Sequence, residues 1–277
     1  MVLAATPLGN VGDASPRLRA ALATADVVAA EDTRRLRTLA AALSVAVGGR
    51  VVSHYDAVEA ARLPRLLDEV RAGRTVLVVT DAGMPAVSDP GYRLVAAAAA
   101  EGLPVTCLPG PSAVTTALVL SGLPVERFCF EGFAPRRPGE RRRWLATLHD
   151  EPRATVFFES PHRLADTLAA AVEVLGGGRA AAVCRELTKL HEQVRRGTLA
   201  ELAAGAVDDP VRGEVTVVLA GAAPAAPPSA DSLVDAVRER VAGGERLKDA
   251  VAAVAVGAGV SKRELYAAAV ADGGGPG

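Results

Sequence analysis

The run Thr75-Val76-Leu77-Val78-Val79-Thr80 is apolar at every interior position, with no polar residue on alternate sites. A strand with one face in water alternates. An unbroken apolar run belongs to a strand covered on both faces, as in a parallel sheet between layers of helices. Parallel strands need long crossover connections, usually helical, so this one run constrains its neighbours. The flanking sequence supplies them. Val2–Thr6, Val27–Ala30, Val51–His54 and Val105–Leu108 read as further strands, with helical patterns between. Ser15-Pro16 marks a helix start, serine as N-cap and proline in the first turn. Val58–Ala72 is helical, with Pro64 expected to mark its real beginning.

The rhythm resumes after Ser121-Gly122-Leu123-Pro124. Phe128–Glu131, Ala154–Glu159, Ala181–Arg185 and Glu214–Gly221 are strand candidates. Helices are expected at Glu140–His149, His162–Leu175 and Leu199–Val207. The fold class is α/β, with two successive α/β domains at residues 1–121 and 122–221. A Pro/Ala linker occupies residues 222–231, and only helical patterns follow, in a tail of residues 232–277. There, Lys248–Gly257, the turn Gly259-Val260-Ser261 and Lys262–Ala271 have the rhythm of a helix-turn-helix, and a plain helical hairpin fits the same pattern. Residues 273–277 read as a fraying end.

Composition excludes several classes. The net charge of −1 over 277 residues leaves no overall footprint for nucleic acid, so any RNA contact must come from local basic patches. Half the residues are apolar but only 3% aromatic, so the alanine runs reflect codon bias more than design. Cys107, Cys129 and Cys184 are odd in number, lie in apolar strand-like stretches and lack ligand spacing. They are expected to be buried free thiols of a reducing cytoplasm, with no metal. The N-terminus lacks a basic flank, and no apolar run reaches the ~18 residues of a membrane span, so neither signal peptide nor membrane is expected.

In open parallel sheets ligands bind beyond the carboxyl ends of strands. Three loops stand at such ends. Pro7-Leu8-Gly9-Asn10-Val11-Gly12-Asp13 follows the first strand and lacks dinucleotide-binding spacing. Asp81-Ala82-Gly83-Met84-Pro85 follows the apolar run. Its aspartate can accept from an amine or hydroxyl, and its glycine admits close approach. Ser88-Asp89-Pro90 looks like the next helix start. Pro109-Gly110-Pro111-Ser112-Ala113 is a stiff turn whose serine can cap a helix.

The blocks TPLGN with Asp13, AEDTR (Ala30–Arg34), DAGMP to YRLV (Asp81–Val95), LPGPSA (Leu108–Ala113), EGFAPR (Glu131–Arg136), FFESPHR (Phe157–Arg163) and RELTKLHE (Arg185–Glu192) occur in one order. Together they resemble the ribosomal RNA 2′-O-methyltransferases of the tetrapyrrole-methylase superfamily, in particular those acting on a cytidine of the small subunit. The resemblance runs from Leu3 to about Gly221. It implies an S-adenosylmethionine cleft between the two domains, a homodimer, and a ribose in the decoding region of 16S rRNA, with the 30S subunit expected as the substrate particle and free RNA left as the alternative. Carried over residue by residue, it places Leu8, Gly9, Asp81, Gly83, Met84, Ser112, Ala113 and Leu187 around the cofactor. The chain departs from the family's GFLPRK at Ala134 and Arg137, and from FYESPHR at Phe158, which removes a hydroxyl.

Methyl transfer to a ribose hydroxyl requires positioning and the handling of one proton. Glu186, Lys189 and His191 are the candidate groups, with Glu192 beside them. As an extended segment, alternation would put Glu186 on one face and Lys189 with His191 on the other. The cluster Glu159, Ser160, His162 and Arg163 is next in line. Arg136, Arg137, Arg141, Arg142 and Arg143 form a basic patch suited to phosphate, extended by Arg34, Arg35 and Arg37, with Trp144 available for stacking. A methylase of porphyrin-type rings has less use for the arginines, and a non-catalytic RNA-binding assembly factor would leave the DAGMP and PGPSA loops idle.

Overall fold

The first half alternates strand and helix: β1 (Val2–Ala4), α1 (Pro16–Thr24), β2 (Val27–Ala30), α2 (Thr33–Ala42), β3 (Arg50–Ser53), α3 (Asp56–Arg71), β4 (Val76–Val79), α4 (Tyr92–Ala100) and β5 (Thr106–Leu108). The structure is a computed structural model that describes residues 1–223 and 228–273. The five strands form one parallel sheet in the order β3-β2-β4-β1-β5.

The apolar run is the central strand β4, and its side chains divide between two cores. Leu77 and Val79 pack with Leu18, Leu22 and Leu36 of α1 and α2. Val76 and Val78 pack with Leu66, Leu67 and Leu94 of α3 and α4. Coverage on both faces is the condition that the unbroken run implied.

Ser15 caps α1 by accepting from the N–H of Leu18 at 3.0 Å. Helix α3 begins well before Pro64 and runs through it. Pro64 is exposed, so the backbone bond it forfeits lies on the solvent side of the helix, where its loss costs least. The expected helix start at Ser88 lies too early: Ala86 and Ser88 have left-handed backbones, and α4 begins at Tyr92 after Gly91.

The second half comprises α5 (Ala113–Ser121), β6 (Phe128–Phe133), α6 (Pro138–Thr147), β7 (Ala154–Glu159), α7 (Leu164–Leu175), β8 (Ala180–Arg185), β9 (Gln193–Thr198), α8 (Leu199–Asp208) and β10 (Val215–Leu219). Its sheet is ordered β6-β7-β10-β8-β9 and is mixed, with β6 and β7 parallel and the other pairs antiparallel. One face packs on α6, α7 and α8 through Leu145, Leu168 and Leu199. The other packs on α5 through Val114, Ala117 and Leu118. Helix α5 therefore closes the sheet that follows it in the chain.

The chain divides into two compact units, Met1–Ala222 and a second beginning at Ala223. The expected linker includes residues 224–227, which lie outside the described residues, as do 274–277 of the expected fraying end. The second unit contains α9 (Val234–Ala242), α10 (Leu247–Ala258) and α11 (Lys262–Gly273) around Val237, Ala250, Val251, Ala255 and Leu265. Gly259, in the left-handed conformation, ends α10.

Of the three thiols only Cys184 is buried. Cys129 is half-buried and Cys107, on the edge strand β5, is exposed. Among the described residues no helix is long and apolar enough to cross a membrane.

Candidate active site

The first sheet places β4, β1 and β5 side by side, all pointing the same way. The loops leaving their carboxyl ends therefore share one edge, although they are dozens of residues apart in sequence. Backbone bonds tie them together. Thr6 and Gly83 exchange N–H···O bonds of 2.9 and 3.0 Å, and Ala5 donates to the carbonyl of Leu108 at 3.1 Å. A Cβ added at Gly110 would stand 2.8 Å from that of Ala5, so the third loop seats directly on the first. Gly83 has φ +83°, and a Cβ there would lie 3.4 Å from Leu8 Cδ2 and 3.7 Å from the carbonyl oxygen of Pro111. The three loops thus meet at a residue that projects no side chain.

Beside them opens a cleft of about 410 Å³ between the two halves. Leu8, Asp81, Gly83, Met84, Ser112 and Ala113 line it from the first half. Phe133, Phe158 to Pro161 and Gly213 to Thr216 form the opposing wall. Two residues expected at the cofactor do not line this cleft. Leu187 is buried in the core with α5 because the turn that carries it folds back onto that helix. Gly9 lines a separate depression with Pro7, Asp32 and Arg35, against the side chain of Lys189.

Asp81 is held on two sides. Its Oδ1 accepts from the N–H of Asp32 at 3.1 Å, and its Oδ2 is 3.4 Å from Arg35 Nε. Its own N–H donates to Glu31 at 3.1 Å. The carboxylate joins the end of β4 to the β2–α2 turn and still faces the cleft. Ser112 stands at the N-terminus of α5 without making a side-chain cap, contrary to expectation.

RELTKLHE is a tight turn between antiparallel β8 and β9, not an extended segment. Lys189 N–H donates to the carbonyl of Glu186 at 2.9 Å. Glu186 and Thr188 have φ of +51° and +65°, a conformation that strains non-glycine residues. The turn brings Glu186 and Lys189 onto one side, where alternation would have separated them. Lys189 Nζ lies 3.0 Å from Glu186 Oε1 and 3.2 Å from Glu214 Oε2.

Glu186 Oε1 also accepts from the N–H of Glu214 at 2.9 Å. That backbone bond leads the effects holding Glu186 below the usual carboxylate range. Burial pulls Lys189 down, but its bonds and charge contacts with Glu186 and Glu214 outweigh this and raise it. The pair is ionised at neutral pH. Of these groups only Glu214 lines the cleft; Glu186 and Lys189 reach its wall through Glu214, and His191 is exposed and does not line it. On the wall, Glu159 is saturated by the Thr167 hydroxyl (2.6 Å), the Ser160 N–H (2.6 Å) and Arg163 (2.5 Å), which makes it a structural clasp. His162, from the same sequence cluster, is exposed.

The basic patch is smaller than its sequence. Arg141 is 5% exposed, because it shares the inward face of α6 with Leu145 and Leu148, four and seven residues on. Arg142 is engaged by Glu173 at 2.9 Å. Trp144 is an anchor: its indole N–H reaches Glu131 at 3.2 Å and its ring meets Phe157 edge to face. Arg136 and Arg143 remain exposed, and Arg137, also exposed, pairs with Glu140 at 3.3 Å. Arg34 pairs with Asp32, and Arg35 with Asp81.

Sequence reasoning missed Glu214 and Phe133. Both fall within segments that it had singled out, a strand start and EGFAPR, but nothing local assigns either side chain to the cleft.

A parallel sheet with its ligand edge facing a mixed sheet across a cleft defines a two-sheet α/β architecture. The solved methyltransferase CobJ shares it, with a TM-score of 0.61 at 22% identity over 80% of this chain and 94% of that one. So does the uroporphyrin-III C-methyltransferase of Thermus thermophilus complexed with S-adenosylhomocysteine, with a TM-score of 0.54 at 19% identity over 79% and 96%. The model of the Tetrapyrrole (Corrin/Porphyrin) Methylases matches residues 1–203, and the chain belongs to that family. Among curated relatives, the Ribosomal RNA small subunit methyltransferase I of Mycobacterium tuberculosis H37Rv is 64% identical over 267 residues, covering 96% of this chain and 93% of that protein.

Proposed function

We propose that the chain methylates RNA of the small ribosomal subunit with S-adenosylmethionine as donor, at the ribose 2′-hydroxyl of a cytidine in the decoding region of 16S rRNA. The observation that carries the substrate class is the 64% identity over nearly the whole chain to a ribosomal RNA small subunit methyltransferase. The 2′-hydroxyl and the cytidine rest on the motif resemblance. So does the homodimer. The 30S particle is our choice over free RNA as substrate, and the cytoplasmic setting rests on the three unpaired thiols. Identity at that level across 96% of the chain favours this reading over methylation of a porphyrin-type ring.

The first-half wall fits the cofactor. Gly83 leaves the junction of three loops without a side chain, and Leu8, Met84 and Ala113 give apolar surface beside the carboxylate of Asp81 and the hydroxyl of Ser112. We assign these residues to the donor, which when bound supplies an electrophilic methyl group on a sulfonium. Asp81 accepts from a hydroxyl or ammonium of the ligand, and Arg35, 3.4 Å from its Oδ2, helps to orient it.

The remaining task is the proton. Lys189 stays an ammonium at neutral pH, so it takes no proton. Its charge lowers the cost of ionising a hydroxyl bound nearby. Glu186 anchors that ammonium against the backbone of Glu214, and the Glu214 carboxylate is the member of the triad on the cleft wall. We therefore assign Glu186 and Lys189 to positioning and charge, and Glu214 to the acceptor side. The test is transfer of labelled methyl from S-adenosylmethionine to 30S particles from cells lacking the gene, with mass spectrometry of nuclease fragments to locate the product. Label in precorrin-type rings but not in 16S rRNA would overturn the reading.

A further inference from the structure

Strand β6 follows β7 in register from Phe128 to Phe130, then slips before Phe133. The slip contains Gly132, at φ +68°, a backbone that a side chain would strain. Glu131, at the same break, is held by the indole N–H of Trp144. A bulge of this kind re-aims the side chain that follows it. Here it turns Phe133 outward onto the rim of the cleft, where the residue is 61% exposed. An apolar ring left so open is no core residue. Phe133 is nevertheless fixed, because it packs against Phe158 with centroids 5.3 Å apart and planes at 63°. Phe158 is braced in turn by Phe130 at 5.0 Å. Edge-to-face packing of this kind leaves ring surface available to a ligand. Arg136 and Arg137, three and four residues on, are exposed on the same segment.

We propose that Phe133 is the stacking platform for the nucleobase of the target nucleotide, with Arg136 and Arg137 holding adjoining phosphates. An aromatic face with neighbouring arginines is the chemistry that recognises an unstacked base on a single strand. The inference rests on the RNA reading above and extends it to a specificity-determining residue.

The test uses the full-length chain as wild type, Phe133→Ala, Phe133→Leu and Phe133→Trp. Phe133→Ala should lower kcat/KM on undermethylated 30S particles by about 5- to 150-fold, the range that loss of one stacked base produces. Phe133→Trp should restore most of it and Phe133→Leu should not, while S-adenosylhomocysteine binds all four equally by calorimetry. A second arm measures the fluorescence of pyrrolocytidine at the target position of a short RNA. Wild type and Phe133→Trp should quench it, and Phe133→Ala should not. Full activity of Phe133→Leu would overturn the proposal, since bulk and not a ring face would then suffice. Loss of S-adenosylhomocysteine affinity in step with activity would overturn it too, by placing Phe133 over the cofactor. If wild type methylates no 30S RNA, the substrate reading fails separately. Equal quenching by wild type and Phe133→Ala would then sink the stacking platform as well.

Discussion

Replacing Gly9 by alanine moves Lys189 without changing any charge. A Cβ at residue 9 would lie 2.1 Å from Lys189 Cγ and 3.2 Å from its Cδ. Carbon atoms pack at ~3.5–4.0 Å, so the lysine stem must retreat by roughly 1.5–2 Å. Its ammonium now sits 3.0 Å from Glu186 and 3.2 Å from Glu214, and a retreat of that size breaks both contacts. The stability cost is small, because partly exposed ion pairs contribute ~0.2–1 kcal/mol. Alanine offsets it by ~0.4–1 kcal/mol through the lower entropy of the unfolded chain. Tm should therefore stay within about 2–4 °C of wild type. The single-turnover rate on 30S particles should fall at least ~10-fold, the mark of lost charge stabilisation near the reacting oxygen. The decisive comparison is a double-mutant cycle with Lys189→Ala, which removes the stem that the added methyl group would strike. In that background Gly9→Ala should have no further effect on rate. An undiminished rate in the single variant would refute the role of Lys189's position. An equal loss in both backgrounds would refute it as well, by showing that Gly9 acts directly on the ligand.

Three other outcomes follow from the site and its surroundings. Asp81→Asn keeps an acceptor for the Asp32 N–H but loses the charge facing Arg35, and should weaken S-adenosylhomocysteine binding by ~10-fold or more, as loss of a charged hydrogen bond does; unchanged calorimetric affinity would remove Asp81 from the cofactor set. Charge reversal at Arg136, Arg137 and Arg143 should weaken RNA binding and shallow its salt slope by up to about three, with cofactor affinity intact, and an unaltered slope would turn the patch back to solvent. Arg141 is left out of that variant because reversing a buried charge would damage the fold. Asp32, bonded to Arg34, and Glu151, bonded to Arg153, are each held down to about 2 in the folded protein. Their contribution is present above the ordinary carboxylate pKa of ~4 and is lost as pH falls toward the folded value. Asp32→Asn with Glu151→Gln should therefore flatten the acid limb of a stability profile between about pH 4 and 2, and an unchanged limb would show that these pairs persist in the unfolded chain.

How much of this was legible depends on how local each cause is. The Val76–Val79 strand declared itself because burial on both faces is written in its own side chains, and the helix at Ser15-Pro16 because its cap is. Strand β9, Gln193–Thr198, went unread because it carries two arginines at a sheet edge, where the pattern of a covered strand does not apply. The turn of RELTKLHE was read as extended because its left-handed residues are Glu186 and Thr188, neither of which announces that backbone as glycine would.

Arg141 is the opposite case. Its spacing to Leu145 and Leu148 is a helical stripe, so its burial was written in the sequence, but five arginines in a row of eight residues read first as a surface. The site itself follows another rule. Each of the three ligand loops shows its chemistry locally, as a carboxylate, a glycine or a serine at a strand end. Their meeting depends on β1 lying between β4 and β5, an order set by how helices on both faces pack and not by any residue in the loops. Lys189 joins the site the same way, through a hairpin in the other half whose register lays its stem across Gly9. Local sequence thus names the reactive groups, while their convergence is a property of topology.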